Sequence, residues 1–232
     1  MIELIEATKT YDQGRRTVHA VRGVSLAVDA GEYVTIMGPS GSGKSTIMHL
    51  MGALDTPSSG QAIFQGRDIR TMSDRERSLL RRTKIGFVFQ AFNLLPTLTA
   101  GENVALPLLL DRVPRREAVS RAIACLERVG LAHRMDHYPE EMSGGEMQRA
   151  AVARALVADP EAVLCDEPTG NLDTHTSREI LTLLAGLPEA GRRTVVVVTH
   201  DATAAKYGSR LVSIRDGLVE SDQAVRPMAA MV

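Results

Sequence analysis

Short apolar runs separated by polar and glycine-rich turns predict alternating strands and helices along most of the chain. The runs expected to form parallel strands, buried on both faces of a sheet, lie at 33–37, 85–90, 162–167 and 194–198. Helices are predicted at 46–51, at 73–82, where Ser73 and Glu76 form a capping box, and at 177–186. This alternation predicts an α/β fold with a parallel sheet.

The first third of the chain has a different pattern. Residues 2–7 alternate imperfectly and predict a strand, and a turn-rich loop is expected at 11–16. A second strand is predicted at 18–28 and a short one at 61–64. We therefore expect an antiparallel β part before and beside the parallel core.

The end of the chain is predicted to form a hairpin. Residues 211–219 contain Asp216 and Gly217 at the expected turn, and an Asp-Gly pair is a strong hairpin signal. The segment 226–232 has no strong pattern, and we expect it to fray.

The alternation breaks in the middle of the chain. Pro96 and Pro107 limit helix length, so 91–110 is predicted to be loop-like. Helices are then predicted at 115–129 and 143–158 with no strand between them. We infer one domain, 1–232, with its core formed by 1–91 and 159–232 and a helical subdomain inserted at 92–158.

A glycine-rich segment follows the strand at 33–37 and fits G-x-x-x-x-G-K-[ST], the P-loop pattern. Backbone N–H groups and the helix N-terminus after them form an anion cradle. Lys44 is predicted to reach the β- and γ-phosphates, and the Ser45 hydroxyl to bind Mg²⁺. The alternative is a glycine-rich turn that binds nothing. The predicted nucleotide-binding residues are Gly38, Ser40, Gly41, Ser42, Gly43, Lys44, Ser45 and Thr46.

Polar residues at predicted strand ends extend this site. Ligands of parallel sheets bind at the carboxyl ends of the strands, where Gln90, Asp166, Glu167 and His200 lie. Asp166 suits a Walker B aspartate, and Glu167 is placed to deprotonate an attacking water. His200 is predicted to hydrogen-bond the γ-phosphate. Each has a structural alternative, such as a helix cap or a surface residue. The predicted Mg²⁺ ligands are Ser45, Gln90 and Asp166, and the predicted catalytic residues are Lys44, Glu167 and His200.

Composition adds several exclusions. The net charge of −1 gives no overall field that attracts nucleic acid, and the basic residues at 70–84 are better explained as a solvated helix face. Cys125 and Cys165 cannot form a four-ligand zinc site, and Cys165 fits as a small apolar residue that fills space in a buried strand.

The sequence contains no run of about 18 apolar residues, and its first six residues lack the basic-then-apolar order of a signal peptide. We therefore expect a cytoplasmic protein.

The segment Ser143-Gly144-Gly145-Glu146-Met147-Gln148-Arg149 resembles the signature motif of the ATP-binding cassette (ABC) superfamily. With the P-loop and the strand-end residues, the resemblance covers essentially the whole chain. It implies a P-loop NTPase (RecA-like) core and the hydrolysis of ATP with Mg²⁺. It also implies a head-to-tail homodimer, in which Ser143, Gly144 and Gly145 of one protomer meet the γ-phosphate held by the other.

The same resemblance adds two site residues. It implies that Tyr11 stacks on adenine and that Asp173 belongs to the D-loop, which crosses the dimer interface. Met142 and Glu146 replace the commoner Leu and Gln beside the signature, although neither supplies the serine hydroxyl or glycine backbone that binds.

Finer likeness is carried by residues 92–96, 102–104 and 166–173, which resemble the branch of lipoprotein-release, macrolide-export and cell-division ATPases. We expect the ATPase subunit of a membrane complex, with a separate or fused transmembrane permease, held at the inner face of the cell membrane by that partner. One alternative is an ATPase that regulates a cell-envelope machine without transport. Another is a cassette protein of DNA repair or translation, but the zinc modules, coiled coils and second cassette that would favour it are not present, and no nucleic-acid partner is expected.

Overall fold

The computed structural model describes residues 1–14, 16–189 and 193–227. Its strands are β1 (Ile2–Gln13), β2 (Arg16–Val28), β3 (Tyr33–Met37), β4 (Ser59–Phe64), β5 (Arg67–Asp68), β6 (Ile85–Phe89), β7 (Ala162–Asp166), β8 (Thr194–Thr199), β9 (Arg210–Arg215) and β10 (Leu218–Ala224). Its α-helices are α1 (Lys44–Met51), α2 (Asp74–Thr83), α3 (Ala100–Leu110), α4 (Arg115–Arg128), α5 (Gly144–Leu156) and α6 (Thr174–Glu189). Short 3-10 helices lie at Ile69–Thr71, Ala132–Arg134, Pro139–Glu141 and Ala204–Lys206.

The predicted parallel sheet is present and has the strand order β10-β9-β3-β8-β7-β6. Neighbouring strands from β9 to β6 run parallel, and only β10 is antiparallel to its neighbour. All six residues of β8 are buried, as expected for a central strand covered on both faces. Because these strands are parallel, the carboxyl ends of β3, β6, β7 and β8 lie along one edge of the sheet.

The antiparallel part is a four-stranded sheet of order β2-β1-β4-β5. The prediction of a loop at 11–16 was wrong, because β1 continues to Gln13 and Tyr11 pairs with Val18 of β2. The β1–β2 ladder continues through several register shifts, and the described part of the connection is the turn at Gly14, whose φ is 62°. The rest of the predicted loop, at Arg15, lies outside the described residues.

The helical subdomain contains one helix that was not predicted. The expectation of a loop at 91–110 was wrong for its second half, which is α3. Thr99 and Glu102 form a capping box at its start, and buried residues such as Val104 and Leu108 pack on α4 and α5. Proline inside a helix removes one hydrogen bond. Here the cap and the buried face outweigh that loss at Pro107.

The other elements agree with the prediction to within a few residues. Helix α6 begins at Thr174 rather than Ser177 because Asp173 caps its first turn. At the predicted hairpin turn, Asp216 and Gly217 have φ values of 50° and 79°, as a tight Asp-Gly turn requires. Of the tail expected to fray, residues 228–232 lie outside the described residues.

Three hydrophobic clusters hold these elements together. One joins α1 to both sheets, one fills the helical subdomain, and one packs α6 on the parallel sheet. In the part of the chain that the structure describes, no helix is long and apolar enough to cross a membrane.

Candidate active site at the sheet edge

The P-loop connects β3 to α1 and has the backbone geometry that only glycine supplies. Gly43 has a φ of 98°, and a Cβ atom there would lie 2.2 Å from the carbonyl oxygen of Ala20. Any side chain at this position would therefore both strain the backbone and collide with β2. The Gly43 carbonyl accepts the first hydrogen bond of α1, from the N–H of Ile47 at 2.9 Å.

The C-terminal hairpin of β9 and β10 also contacts the P-loop. The N–H of Gly217 donates to the carbonyl of Ser42 at 3.0 Å, and the carbonyl of Gly217 accepts from Arg22 at 2.9 Å. A Cβ atom on Gly38 would lie 2.1 Å from the carbonyl oxygen of Ile214 in β9. The loop is thus held between β2 and the last two strands.

A cavity of about 670 Å³ opens over the P-loop. It brings together most residues predicted for the site, namely Ser40, Gly41, Gly43, Lys44, Ser45, Thr46, Gln90, Asp166, Glu167 and His200. The predicted Gly38 and Ser42 do not line it. Val18, His19 and Ala20 of β2 also line it, which the sequence alone did not indicate. The Lys44 ammonium donates to the carbonyl of Pro39 at 3.0 Å, so it is held within its own loop.

Ser45 and Asp166 form the oxygen-rich part of the cavity. The Ser45 hydroxyl donates to Oδ1 of Asp166 at 2.9 Å, joining the start of α1 to the end of β7. Burial raises the pKa of Asp166 above its usual value, and the hydrogen bond from Ser45 opposes that effect. A hydroxyl and a carboxylate are ligands that Mg²⁺ prefers. Among the described residues, no group of three or more His, Cys, Asp or Glu side chains is arranged to hold a metal ion.

Glu167 turns away from Asp166 because its backbone is left-handed, with a φ of 47°. Its N–H still donates to the carbonyl of Val198 at 2.8 Å, which carries the side chain across to the end of β8. There Oε2 accepts from the Thr199 hydroxyl at 2.9 Å, and Oε1 lies 2.8 Å from Nδ1 of His200. The carboxylate is thus fixed by two residues of one strand end. Thr199 was not predicted.

Gln90 is held by a residue that sequence reasoning also missed. Its side-chain amide donates to Oδ1 of Asn171 at 3.1 Å, and the Asn171 amide donates back to the carbonyl of Gln90 at 3.0 Å. Gly170 allows this approach, since a Cβ atom there would lie 2.7 Å from the amide nitrogen of Gln90. A reciprocal amide pair between a strand end and a loop 81 positions later leaves no local sequence signal.

Ser143 caps the helix that begins at the signature. Its hydroxyl accepts from the N–H of Glu146 at 3.3 Å, and Glu146 accepts from the N–H of Ser143 at 2.8 Å. Arg134 donates to the second oxygen of Glu146 at 2.7 Å. Hydrogen bonding from the Ser143 backbone, aided by Arg134, lowers the pKa of Glu146 to about 2. Glu146 therefore fixes the first turn of α5 through its bonds to Ser143 and Arg134.

The signature lies apart from the P-loop cavity of the same chain. A Cβ atom on Gly144 would lie 3.6 Å from Leu172, and one on Gly145 would lie 2.6 Å from a methyl of Thr176. Asp173 accepts from the N–H and the hydroxyl of Thr176, so the D-loop and the signature are neighbours. None of the predicted residues in these two motifs lines the cavity.

Tyr11 does not line the cavity either. Its hydroxyl donates to Oδ2 of Asp55 at 2.9 Å, and the ammonium of Lys9 lies 5.1 Å from the centre of its ring. Lys9 in turn donates to Oδ1 of Asp55 at 2.6 Å. Burial raises the pKa of the Tyr11 phenol, and the Asp55 carboxylate adds to this. The ring is therefore held by a Lys–Asp pair beside α1.

The fold and cavity define a P-loop nucleotide hydrolase, with a glycine-rich loop before a helix, a hydroxyl–carboxylate pair and an oriented second carboxylate along one sheet edge. Comparison of the sequence with known families narrows this class. Residues 21–170 match the model of the ABC transporter family. The chain belongs to that family and is an ATPase of it, as the signature motif implied.

Individual relatives also belong to the ABC family. An uncharacterized ABC transporter ATP-binding protein of Thermotoga maritima is 51% identical over 95% of this chain and 94% of its own length. The macrolide export ATP-binding/permease protein MacB of Chlorobaculum tepidum is 47% identical over 96% of this chain, which spans only 34% of that longer protein. A solved dimer of the ATP-binding cassette MJ0796, in a post-hydrolysis state with ADP and Pi, has a TM-score of 0.91 at 43% identity and covers 98% of this chain and 100% of its own.

Proposed function

We propose that this chain is the ATP-binding and ATP-hydrolysing subunit of an ABC-type membrane complex that serves export or lipoprotein release. The observation that carries the proposal is the separation of the signature helix from a cavity that otherwise holds every predicted catalytic group. The N-terminus of the signature helix does not line the cavity of its own chain. The site is therefore complete only when a second copy supplies its signature helix.

Each strand end has a distinct task in the proposed reaction. Lys44 binds the β- and γ-phosphates in place of the Pro39 carbonyl that it now contacts. Glu167 accepts a proton from the attacking water, while Thr199 and His200 hold its carboxylate in position. Gln90 and His200 approach the γ-phosphate from the β6 and β8 ends. Tyr11 supplies a stacking surface for adenine.

Ser45, Asp166 and Gln90 are the residues we assign to Mg²⁺. The Ser45–Asp166 hydrogen bond of 2.9 Å brings a hydroxyl and a carboxylate oxygen together beside Lys44, which supports that assignment. The bound ion would neutralise charge on the phosphate oxygens. The Gln90 amide nitrogen is directed at Asn171, which leaves its oxygen as the group suited to a hard cation.

We further propose that ATP draws two copies into a head-to-tail dimer. Ser143 and the first backbone N–H groups of α5 form a helix N-terminus, which favours an anion. In the dimer these groups face the γ-phosphate bound by the partner, and Asp173 lies at the crossing between protomers. The solved MJ0796 cassette is a dimer, which supports this arrangement.

Mixing two inactive variants tests the shared site. Glu167→Gln removes the base, and Gly144→Asp places a negative charge at the signature. We choose Gly144 because a Cβ atom there makes only ordinary contacts within the chain, whereas at Gly145 it would collide with Thr176. In a heterodimer both lesions fall on one site and leave the other intact.

Random pairing makes about half of the dimers heterodimers, so roughly a quarter of all sites should be competent. The variants are mixed before nucleotide is added, and subunit exchange is verified with labelled chains. Turnover well above the sum of the separate variants is the expected result. No recovery despite verified exchange rejects the shared site.

The membrane partner is proposed to dock between the core and the helical subdomain, which would keep the chain at the inner face of the membrane. A cavity of about 580 Å³ there is lined by α2, β6, α3 and α5 and includes Phe89, Asn93 and Leu110. Leu95 is exposed and follows Gln90 by five residues. A movement of Gln90 on nucleotide binding would therefore shift Leu95 as well. Of the neighbouring apolar residues, Leu94 packs into the helical core and Phe92 is only half exposed.

Cysteine cross-linking to a co-expressed permease tests this surface. Cysteines at Leu95 and Leu110 should cross-link, while one at Leu218 in the exposed C-terminal hairpin should not. The reverse pattern would move the partner to the hairpin and overturn the docking proposal without affecting the shared ATP site.

A further inference from the structure

Glu146 places a full negative charge at the start of α5, where the proposed site has to receive a phosphate. It is the third residue of the helix, and its pKa of about 2 keeps it ionised at neutral pH. A helix N-terminus carries the equivalent of about half a positive elementary charge, which is what favours an anion there. One carboxylate beside it more than cancels that charge. Without compensation, the start of α5 would therefore repel a phosphate.

Arg134 supplies the compensating charge. Its Nε donates to Oε1 of Glu146 at 2.7 Å, and among the described residues it is the only cation in an ion pair with that carboxylate. The two side chains are 33% and 14% exposed, respectively, so solvent and salt screen this pair less than a pair on the open surface. The charge of Arg134 offsets that of Glu146 and leaves the helix start with the positive character of its backbone.

His137 holds Arg134 from another side. Nη1 of Arg134 lies 3.1 Å from Nε2 of His137. Because a guanidinium can only donate hydrogen bonds, Nε2 is the accepting nitrogen and the ring hydrogen is on Nδ1. The imidazole in this form adds no charge of its own. Arg134 is thus held by a neighbour that does not compete with Glu146 for its charge.

The segment that carries Arg134 and His137 is fixed to the start of α3. The carbonyl of Met135 accepts the N–H of Gly101 at 2.8 Å, and the carbonyl of His137 accepts the N–H of Ala100 at 2.8 Å. The N–H of His137 donates back to the carbonyl of Arg134 at 3.0 Å. Arg134 therefore reaches Glu146 from a backbone that is held by the same subdomain.

We propose that Arg134 is a positioning residue of the shared site: it neutralises Glu146, so that the Ser143 hydroxyl and the first N–H groups of α5 can accept the phosphate held by a second copy. Arg134 acts on that phosphate only through Glu146. The inference rests on the proposed function, because it assumes that the start of α5 completes the partner's site. It requires the effect of Arg134 on dimerisation to depend on the charge of Glu146.

The experiment measures ATP-dependent dimerisation by sedimentation in the Glu167→Gln background. Arg134→Gln keeps a side chain that can donate a hydrogen bond but removes the charge, whereas Arg134→Lys keeps the charge without the planar fork. We expect Arg134→Gln to weaken dimerisation by about tenfold or more and Arg134→Lys to weaken it by less than about threefold. Binding of ADP to the monomer should stay within about twofold in both, because neither residue lines the P-loop cavity.

Arg121→Gln is the matched control. Arg121 belongs to the same helical subdomain and also contacts α5, but it does so at the opposite end of that helix, where it donates to the carbonyl of Val157 at 3.0 Å. Removing its charge should change dimerisation by less than about threefold. An Arg134→Gln protein that dimerises like this control overturns the proposal.

A double-mutant cycle separates neutralisation from a merely structural role. Glu146→Gln removes the charge that Arg134 offsets and keeps a residue that is compatible with the capping box. In the Glu146→Gln background, Arg134→Gln should therefore change dimerisation by less than about threefold. If Arg134 only supported the fold or acted independently of Glu146, its replacement would cost the same factor in both backgrounds.

The same cycle remains decisive should Arg134→Gln alone fail to fold. The double variant has no unpaired charge, and its comparison with Glu146→Gln alone still shows whether Arg134 matters once the carboxylate is gone. A double variant that dimerises about tenfold more weakly than Glu146→Gln overturns the proposal, as does an Arg134→Lys protein as weak as Arg134→Gln. Failure of the Glu167→Gln parent to dimerise would instead reject the proposed function on which the inference rests.

Discussion

The imidazole of His200 lies 2.8 Å from the carboxylate of Glu167, with Nδ1 facing Oε1. The sequence predicted both residues for the site but gave them separate tasks. Their contact means that the residue expected to sense the phosphate also orients the residue expected to activate water. Thr199 holds the second carboxylate oxygen, so the end of β8 controls both atoms of the base.

Replacing Glu167 by Gln should cut ATP hydrolysis by roughly 10²-fold or more, because the amide cannot accept the proton. ATP binding should persist, and size-exclusion chromatography should show an ATP-bound dimer. Glu161→Gln is the control. Glu161 lies just before β7, the strand that Glu167 follows, and it forms an ion pair with Lys84. Near-normal turnover of the Glu167→Gln protein would remove this residue from the mechanism.

Thr199→Val should lower kcat by roughly tenfold with little change in KM. A hydrogen bond to a carboxylate contributes about 1.5 kcal/mol, which corresponds to about tenfold in rate. Thr194→Val serves as the matched control, because Thr194 is equally buried at the other end of β8 and its hydroxyl bonds backbone groups. Steady-state kinetics and thermal unfolding of both proteins check this. An equal loss of kcat in the two variants would mean that stability, not base orientation, is affected.

Tyr11→Ala should raise the dissociation constant for ATP by roughly tenfold, whereas Tyr11→Phe should change it little. A stacked aromatic ring contributes about 1–3 kcal/mol per base. The hydroxyl is already bonded to Asp55, so its loss leaves the stacking surface intact. Calorimetry with ATP and with tripolyphosphate, which lacks a base, gives the comparison. Equal weakening for both ligands would argue against stacking.

Glu146→Gln should change the pH dependence of unfolding. The carboxylate has a pKa of about 2 in the folded chain, against an ordinary value of about 4.3 when unfolded. Its stabilising effect is therefore complete above about pH 4.3 and is lost as the pH falls towards 2. Urea unfolding between pH 7 and 3 should show the two proteins converging at the acid end.

The control for this measurement is Glu141→Gln. Glu141 also accepts a backbone N–H, from Tyr138 at 2.7 Å, but it forms no ion pair among the described residues. Its effect therefore estimates what the cap alone contributes. A stability difference between wild type and Glu146→Gln that stays constant down to pH 3 would contradict the lowered pKa of Glu146.

Local patterns in the sequence predicted the strands and helices that depend on interactions between residues close together in the chain. The apolar run of β8 and the capping box at Ser73 each specify an element within a few residues, and both are present. The prediction of a loop up to residue 110 rested on the prolines alone, whereas the capping box of Thr99 and Glu102 and a buried face carry α3 through Pro107.

The remaining gaps depend on long-range packing. Strand β1 extends past Ala7 because β2 pairs with it through register shifts, which no alternation in either strand records. Asn171 and Thr199 hold Gln90 and Glu167 through contacts between separate segments. Residue type and place in the sequence predict which side chains act on a ligand, but they do not predict the residues that hold those side chains.

The hydrogen bond between Ser42 and Gly217 also bears on how the protein is made. The P-loop is synthesised well before β9, which completes one side of β3, and before the hairpin turn that contacts the loop. A nascent chain therefore carries the phosphate-binding sequence long before it has the strands that shape it. Nucleotide affinity should arise only after β9 and the hairpin turn leave the ribosome, which makes ATP binding a report on the folding of this hairpin.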